Sequence, residues 1–175
     1  MGITSTRVGQ FSIATLGQYC TTVHTLSPAD KKRVGDNGEM EVYIALQREY
    51  RGKGTLLETD FGFKVNHNNE EFEIIWLNKH HNIGKGCDFV IKKNNNEIEY
   101  IEVKAKVGES DELIEVTGPQ WEFARKLYEN DEGEKYSFHI VSNTGKPSAR
   151  IKKLKNPIKL WKEGKLYADP VKFKL

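Results

Sequence analysis

The clearest pattern along this chain is a change of hydrophobic period. Over residues 38–50, apolar groups recur at Val42, Leu46 and Tyr50, with Tyr43 beside them, the spacing of a helix with one buried face. Ser27, followed by Pro28 and Asp30, reads as a helix start with proline at its first position, and Gly52 and Gly54 end the helix. The period then shortens. "FGFKVNHNN", "EFEIIWLNK" and the stretch "GCDFVIKKNNNEIEYIEVKAK" are short, β-branched or aromatic runs bounded by Asn or Gly, and predict three or four strands. Helical spacing returns in "TGPQWEFARKLYEN", where Thr117 suits an N-cap, Pro119 the first turn, and Trp121, Ala124, Leu127 and Tyr128 a buried face. "KYSFHIVSN" predicts a further strand that offers Phe138, Ile140 and Val141 to a core. "SARIKKLKNPIKLWKEGKLY" reads as strand and loop, broken at Pro157.

Helix, strands, helix, strand is the order of an α/β sandwich around a small mixed sheet. Residues 31–145 form the expected core. Residues 1–30 are left as an N-terminal arm, its Thr-, Ser- and Gly-rich part fitting a loose segment, a short helix or a remnant of a longer parent equally. Residues 146–175 are expected to be a basic extension packed on the core. No internal repeat is visible.

Composition changes this picture little. A chain of 175 residues suits one domain, and 37% hydrophobic with 30% charged residues is an ordinary globular balance. Two cysteines, Cys20 and Cys87, are too few for a disulfide framework, which points to a reducing compartment and hence the cytoplasm. No apolar run approaches a membrane span and the first residues lack a secretory pattern, so no membrane partner is expected. Charge changes it more. Lys146 to Leu175 hold ten Lys or Arg against two acids, +8, so residues 1–145 carry 17 minus 23, or −6. Such a segment beside an acidic body suits a polyanionic partner, or simply a solvated surface.

The candidate chemistry lies in residues 86–106. With an antiparallel pair turning about Asn95, positions summing to 190 face one another, which sets Lys93 against Glu97 and Asp88 against Glu102. Directly opposed Cβ atoms lie roughly 4.5 to 5.5 Å apart, so the two carboxylates repel unless a positive charge sits between them. Lys104 shares their face, while Phe89, Ile91, Ile101 and Val103 fill the other and fix the register. Two close carboxylates and a lysine suit metal-assisted phosphodiester hydrolysis: hard oxygen ligands hold magnesium, and a lysine orients water or neutralises charge. The plainer reading is a solvated face whose acids and lysine pair across strands.

"GCDFVI" with "IEVKAK" resembles the PD-(D/E)xK nuclease signature, an aspartate on one strand and Glu-x-Lys on its neighbour. "GDNGEMEVYIALQREY" resembles the glycine-glutamate helix that precedes the sheet in many such nucleases. "EVTGPQWEFARKLYEN" followed by "KYSFHIVSN" resembles the helix and strand of the domain family found at the C-terminus of the plant protein NO VEIN, which also occurs in bacterial defence-associated and helicase-linked proteins. The likeness covers residues 35–145. It implies a restriction-endonuclease-like fold and a magnesium-dependent nuclease, with manganese as a substitute, cutting DNA or RNA in restriction or anti-phage defence. It assigns Asp88, Glu102 and the Val103 carbonyl to the metal and Lys104 to the water. Glu39 is the implied helix acid, with Glu41 as competitor; the two point about 200° apart on a helix, and Glu39 aligns with Val42 and Leu46. Gln120 stands where that family often has Glu before the tryptophan, and is left as a supporting or nucleic-acid-contacting residue.

His80 and His81, on a loop before Asp88, and Lys85, between Gly84 and Gly86, are further phosphate-contact candidates; with Cys87 the histidines lack a zinc spacing. Trp76, Trp121 and Trp161 are expected in the core, and no phosphate-binding glycine loop for ATP occurs. Because one active site cuts one strand, a homodimer or larger defence assembly is expected. The alternative from another class is a catalytically silent nucleic-acid-binding or scaffolding module.

Overall fold

The computed structural model describes residues 26–81, 83–109 and 113–167. The arm up to residue 25, with Cys20, and the tail beyond 167 lie outside the described residues. Helix α1 (Pro28–Arg51) leads into strands β1 (Leu56–Thr59), β2 (Gly62–His67), β3 (Glu70–Trp76), β4 (Phe89–Lys93) and β5 (Asn96–Ala105). Helix α2 (Gly118–Glu129), strands β6 (Tyr136–Ser142) and β7 (Arg150–Lys155), and helix α3 (Pro157–Lys162) complete the order. The seven strands form one sheet in sequence order, antiparallel except for β5 and β6, which run parallel. The expected α/β class, a mixed sheet flanked by helices, is what forms.

Alternation sorts the strand residues onto two faces. Phe63, Val65, Ile74, Phe89, Ile91, Ile101, Val103 and Val141 meet Val42, Leu46 and Tyr50 of α1. Val90, Tyr136 and Phe138 face the other way, against Ala124 and Leu127 of α2 and Ile158 of α3. One helix therefore covers one face, and two cover part of the other.

Four expectations change. The helix is not confined to residues 38–50: from the Ser27 cap, whose Oγ accepts the Asp30 N–H at 3.1 Å, it runs 24 residues unbroken through Gly35 and Gly38. At Gly38 the missing side chain is the reason it continues against the sheet, since a Cβ there would lie 2.6 Å from Ala105 Cβ. Strand β1 is an additional edge strand, too short and too exposed to show a period. Beyond Pro157 the chain forms α3 rather than loop, because proline is well placed at a first helical turn and the Asn156 side chain caps it, accepting the Lys159 N–H at 3.2 Å. Trp161, expected in the core, is 45% exposed and packs edge-to-face on Trp121.

The central hairpin corrects the register near its turn and keeps it elsewhere. Asn94 and Asn95, both with positive φ, make a two-residue turn, so Lys93 faces Asn96 and Lys92 faces Glu97. A bulge then leaves Ile98 without an opposite residue, and from Ile91↔Glu99 to Phe89↔Ile101 the pairs sum to 190. Asn68 and Asn69 turn the β2–β3 hairpin in the same way.

Candidate active site

Asp88 ends the run that leads into β4. Its N–H donates at 2.8 Å to the carbonyl of Ile101, the residue that Phe89 already faces, so the regular pairing stops at Phe89 while the Asp88 carboxyl stays near enough to Glu102 to feel its charge. Both carboxyls are buried, Asp88 at 7% exposure and Glu102 at 3%. The Val103 N–H donates to Asp88 Oδ2 at 2.7 Å, and Asn78 Nδ2 donates to Oδ1 at 2.6 Å. A strand residue directs its N–H and C=O to the same edge, so the Val103 carbonyl also points toward Asp88, past the end of β4.

Glu102 and Lys104 stand two apart on one face of β5, with Lys104 Nζ 3.2 Å from Glu102 Oε1. Gln120 joins them. Its Oε1 accepts from Lys104 Nζ at 2.8 Å and from the Thr117 N–H at 2.9 Å, and its Nε2 donates to Glu102 Oε1. One amide thus caps α2 and clamps the Glu-x-Lys pair. Gln120 is brought into the constellation by position, with no negative charge of its own.

Glu39 enters from the opposite helix. Its Oε2 accepts from Trp76 Nε1 at 2.6 Å, and the Asp88 and Glu102 charges are near enough to be felt. Glu41 points away and accepts the Gly145 N–H at 2.7 Å, so the helix arithmetic that favoured Glu39 is matched by the geometry. Burial sets the protonation of the cluster. It pushes Asp88 up to about 7, with the Glu102 charge adding to the rise and the Val103 N–H opposing it. Burial likewise pushes Glu39 up to about 7, with Asp88 adding to it. Glu102 is raised by burial, but Lys104 and Gln120 pull it back.

Among the described residues, no group of three His, Cys, Asp or Glu side chains is arranged to hold a metal ion. What lies together is two carboxylates, with the Val103 carbonyl on the strand edge that faces Asp88. That set fits magnesium, which is held through one or two carboxylates and keeps several waters, better than it fits a metal needing a full protein cage. Like-charged, buried acids with raised protonation also constitute a site where a cation relieves an electrostatic cost.

Other candidates sit apart from this cluster. His80 Nε2 lies 3.0 Å from the Asp60 carbonyl and its ring packs on Phe61, while His81 and Lys85 are exposed on the preceding loop. The Cys87 thiol is buried and pushed up to about 12 by that burial, which leaves it protonated. Two members were missed from the sequence. Asn78 reaches Asp88, and Trp76, assigned only to the core, also holds Glu39. The β3–β4 pairing carried the signal: with Trp76 opposite Phe89, Leu77 meets Asp88 and Asn78 lies alongside.

A cavity of about 550 Å³ opens beside Lys104, lined by Val34, Ala105, Lys106, Val107 and Glu115 among others. No helix among the described residues is long and apolar enough to cross a membrane.

The family described as "Protein NO VEIN, C-terminal" matches residues 58–154, so the match runs from within β1 to within β7, takes in Asp88, Glu102, Lys104 and Gln120, and does not reach Glu39. The chain is 31% identical to Protein NO VEIN of Arabidopsis thaliana over 105 residues, covering 59% of this chain and 4% of that protein. It is 32% identical to Protein NO VEIN-LIKE of Arabidopsis thaliana over 92 residues, 52% of this chain and 13% of that protein. The chain therefore spans only a small part of the length of either relative. No solved structure matches it.

Proposed function

From the chain's membership of the NO VEIN C-terminal family, shown by the match over residues 58–154, we propose that it is a metal-dependent nuclease domain of restriction-endonuclease-like fold that hydrolyses DNA phosphodiester bonds. The observation that carries this reading is the burial of Asp88 and Glu102 side by side, with Lys104 Nζ 3.2 Å from Glu102.

Asp88, Glu102 and the Val103 carbonyl would hold the magnesium ion, or manganese in its place. A bound divalent cation supplies Lewis-acid charge that acidifies water and neutralises negative charge on a phosphate. Lys104 contributes through its geometry. An ammonium has three donors, and Glu102 and Gln120 engage two of them, which leaves one N–H to orient the attacking water or a phosphate oxygen. Gln120 fixes that ammonium in direction, and Glu39, held by Trp76, stands beside Asp88 as an acid whose range near 7 suits proton exchange with water. Restriction or anti-phage defence as a setting, and a dimer or larger assembly for cutting both strands, belong to the same proposal.

The test is cleavage of supercoiled plasmid and of single-stranded DNA with magnesium or manganese, comparing wild type with Asp88→Ala and Lys104→Ala. Metal-dependent nicking lost in both variants is the expected result. Nicking retained by either variant overturns the assignment. Salt-sensitive binding without cleavage under any metal would instead favour a silent binding module.

A further inference from the structure

The basic C-terminal segment is not uniformly basic in space. Register pairs Lys104 with Ile140 and Ile140 with Lys152, so these three side chains form one row across β5, β6 and β7. Side chains directly opposed in a sheet share a face. Ile140 and Leu154 pack on the α2 side, which assigns Lys152 to the face that carries Lys104 and Glu102. Lys153, its neighbour in sequence, is on the other face: it pairs with His139 and bridges Glu49 of α1 at 3.2 Å.

The two lysines therefore differ in both surroundings and partners. Lys152 is exposed and has no ion pair or hydrogen bond among the described residues, whereas Lys153 is compensated by Glu49. Arg150, two residues before Lys152 and on its face, is 78% exposed, with only a 3.6 Å approach to Glu109. Adjacent strands lie about 4.8 Å apart, so the backbones at Lys104 and Lys152 are separated by roughly 10 Å, a distance long side chains on both can span to neighbouring phosphates of one strand.

We infer that the Lys152 face of β7, with Arg150, is the surface on which a nucleic-acid backbone is held as it leaves the site, and that the Lys153 face takes no part. This rests on the nuclease reading for the identity of the polyanion. It goes beyond that reading in dividing a lysine-rich strand into a contacting and a non-contacting half.

The experiment is fluorescence anisotropy of a short labelled DNA duplex with the full chain, in chelator so that no metal-dependent cleavage enters. Affinity is followed between about 50 and 200 mM salt for wild type, Lys152→Ala, Lys152→Arg and Lys153→Ala. Loss of one phosphate contact should lower the slope of log affinity against log salt by about 0.9 in Lys152→Ala. Lys152→Arg and Lys153→Ala should keep the wild-type slope. Equal loss in Lys152→Ala and Lys153→Ala, no loss in Lys152→Ala, or no binding by wild type would each overturn the inference. Because binding is read without metal, a failed cleavage assay would not mimic any of these outcomes.

Discussion

On one face of one sheet, two charged clusters use the same residue types and reach opposite electrostatic results. Lys64, Glu73 and Lys92 form a row across β2, β3 and β4, with Glu73 between two lysines at 3.6 and 4.0 Å. Signs alternate, the side chains are 24 to 34% exposed, and each charge is answered by the next strand. Asp88, just before β4, and Glu102 of β5 are buried near each other with like sign, and Gln120 of α2 closes over Glu102. The first cluster satisfies itself; the second has a cost that a proton or a cation relieves. Order along the row and cover above it, rather than composition, separate a solvated surface from a chemically poised site.

The sharpest way to break the contrast is to remove the surplus charge. Asp88→Asn should abolish metal-dependent nicking, a fall of at least about a hundred-fold, as expected for loss of a main electrostatic element. The same change should raise the melting temperature of the metal-free protein at pH 8, because it deletes a buried anion whose folded-state protonation lies well above its unfolded one. Lower stability with unchanged activity would show that the aspartate is structural.

A pH series separates the groups next. Asp88 and Glu39 are held near 7 in the fold against ordinary values of 3.8 and 4.5, so between about pH 4 and 7 the folded chain keeps protons that the unfolded chain has released. Stability of the metal-free protein should therefore fall as pH rises through that window. His139 acts with opposite sign. It is buried, its Nε2 lacks a hydrogen-bond partner among the described residues, and burial, with the Lys153 charge adding to it, lowers it from 6.5 to about 4, so its contribution is lost as pH falls through that range. Two carboxyls outweigh one imidazole, and thermal melts should show a net loss toward high pH, flattened by Asp88→Asn and by added magnesium.

Smaller effects sharpen the comparison. Gln120→Ala leaves buried Glu102 with Lys104 but without its amide donor, and should cost about 1–3 kcal/mol in denaturant melts. Glu73→Ala, in the self-compensated row, should cost no more than about 1 kcal/mol. If the two costs were equal, cover by α2 would not be what distinguishes the clusters.

Period and turn chemistry made most of the fold legible. The stripe of Val42, Leu46 and Tyr50, the Thr117 start of α2 and the alternation around Ile101 all correspond to elements that formed. What stayed hidden depended on tertiary support: β1 exists through its pairing with β2, and the first half of α1 through a glycine that fits against Ala105. The site was legible where alternation sets the face, as for Glu102 and Lys104 on one side of β5. The facing of Asp88 and Glu102 was not kept, because pairing stops at Phe89 and the Asp88 N–H bonds the Ile101 carbonyl. Asn78 was not legible, because its place depends on a second strand pairing, and neither was the bulge at Ile98, which brought a misplaced turn back into register.

The single parallel pair has a further consequence, for the order in which the molecule is made. The turns between β1 and β2, β2 and β3, and β4 and β5 are two residues each, and the connection from β3 to β4 is twelve (77–88). β5 and β6 are joined only through thirty residues, 106–135, which include α2. Chain-closure entropy and sequence separation both fall on that one link. Strands β1 to β5 can zip from neighbour to neighbour, but Gln120 reaches Glu102 only after the long crossover closes. Five of the seven strands can assemble while the most heavily charged interior is still open to water.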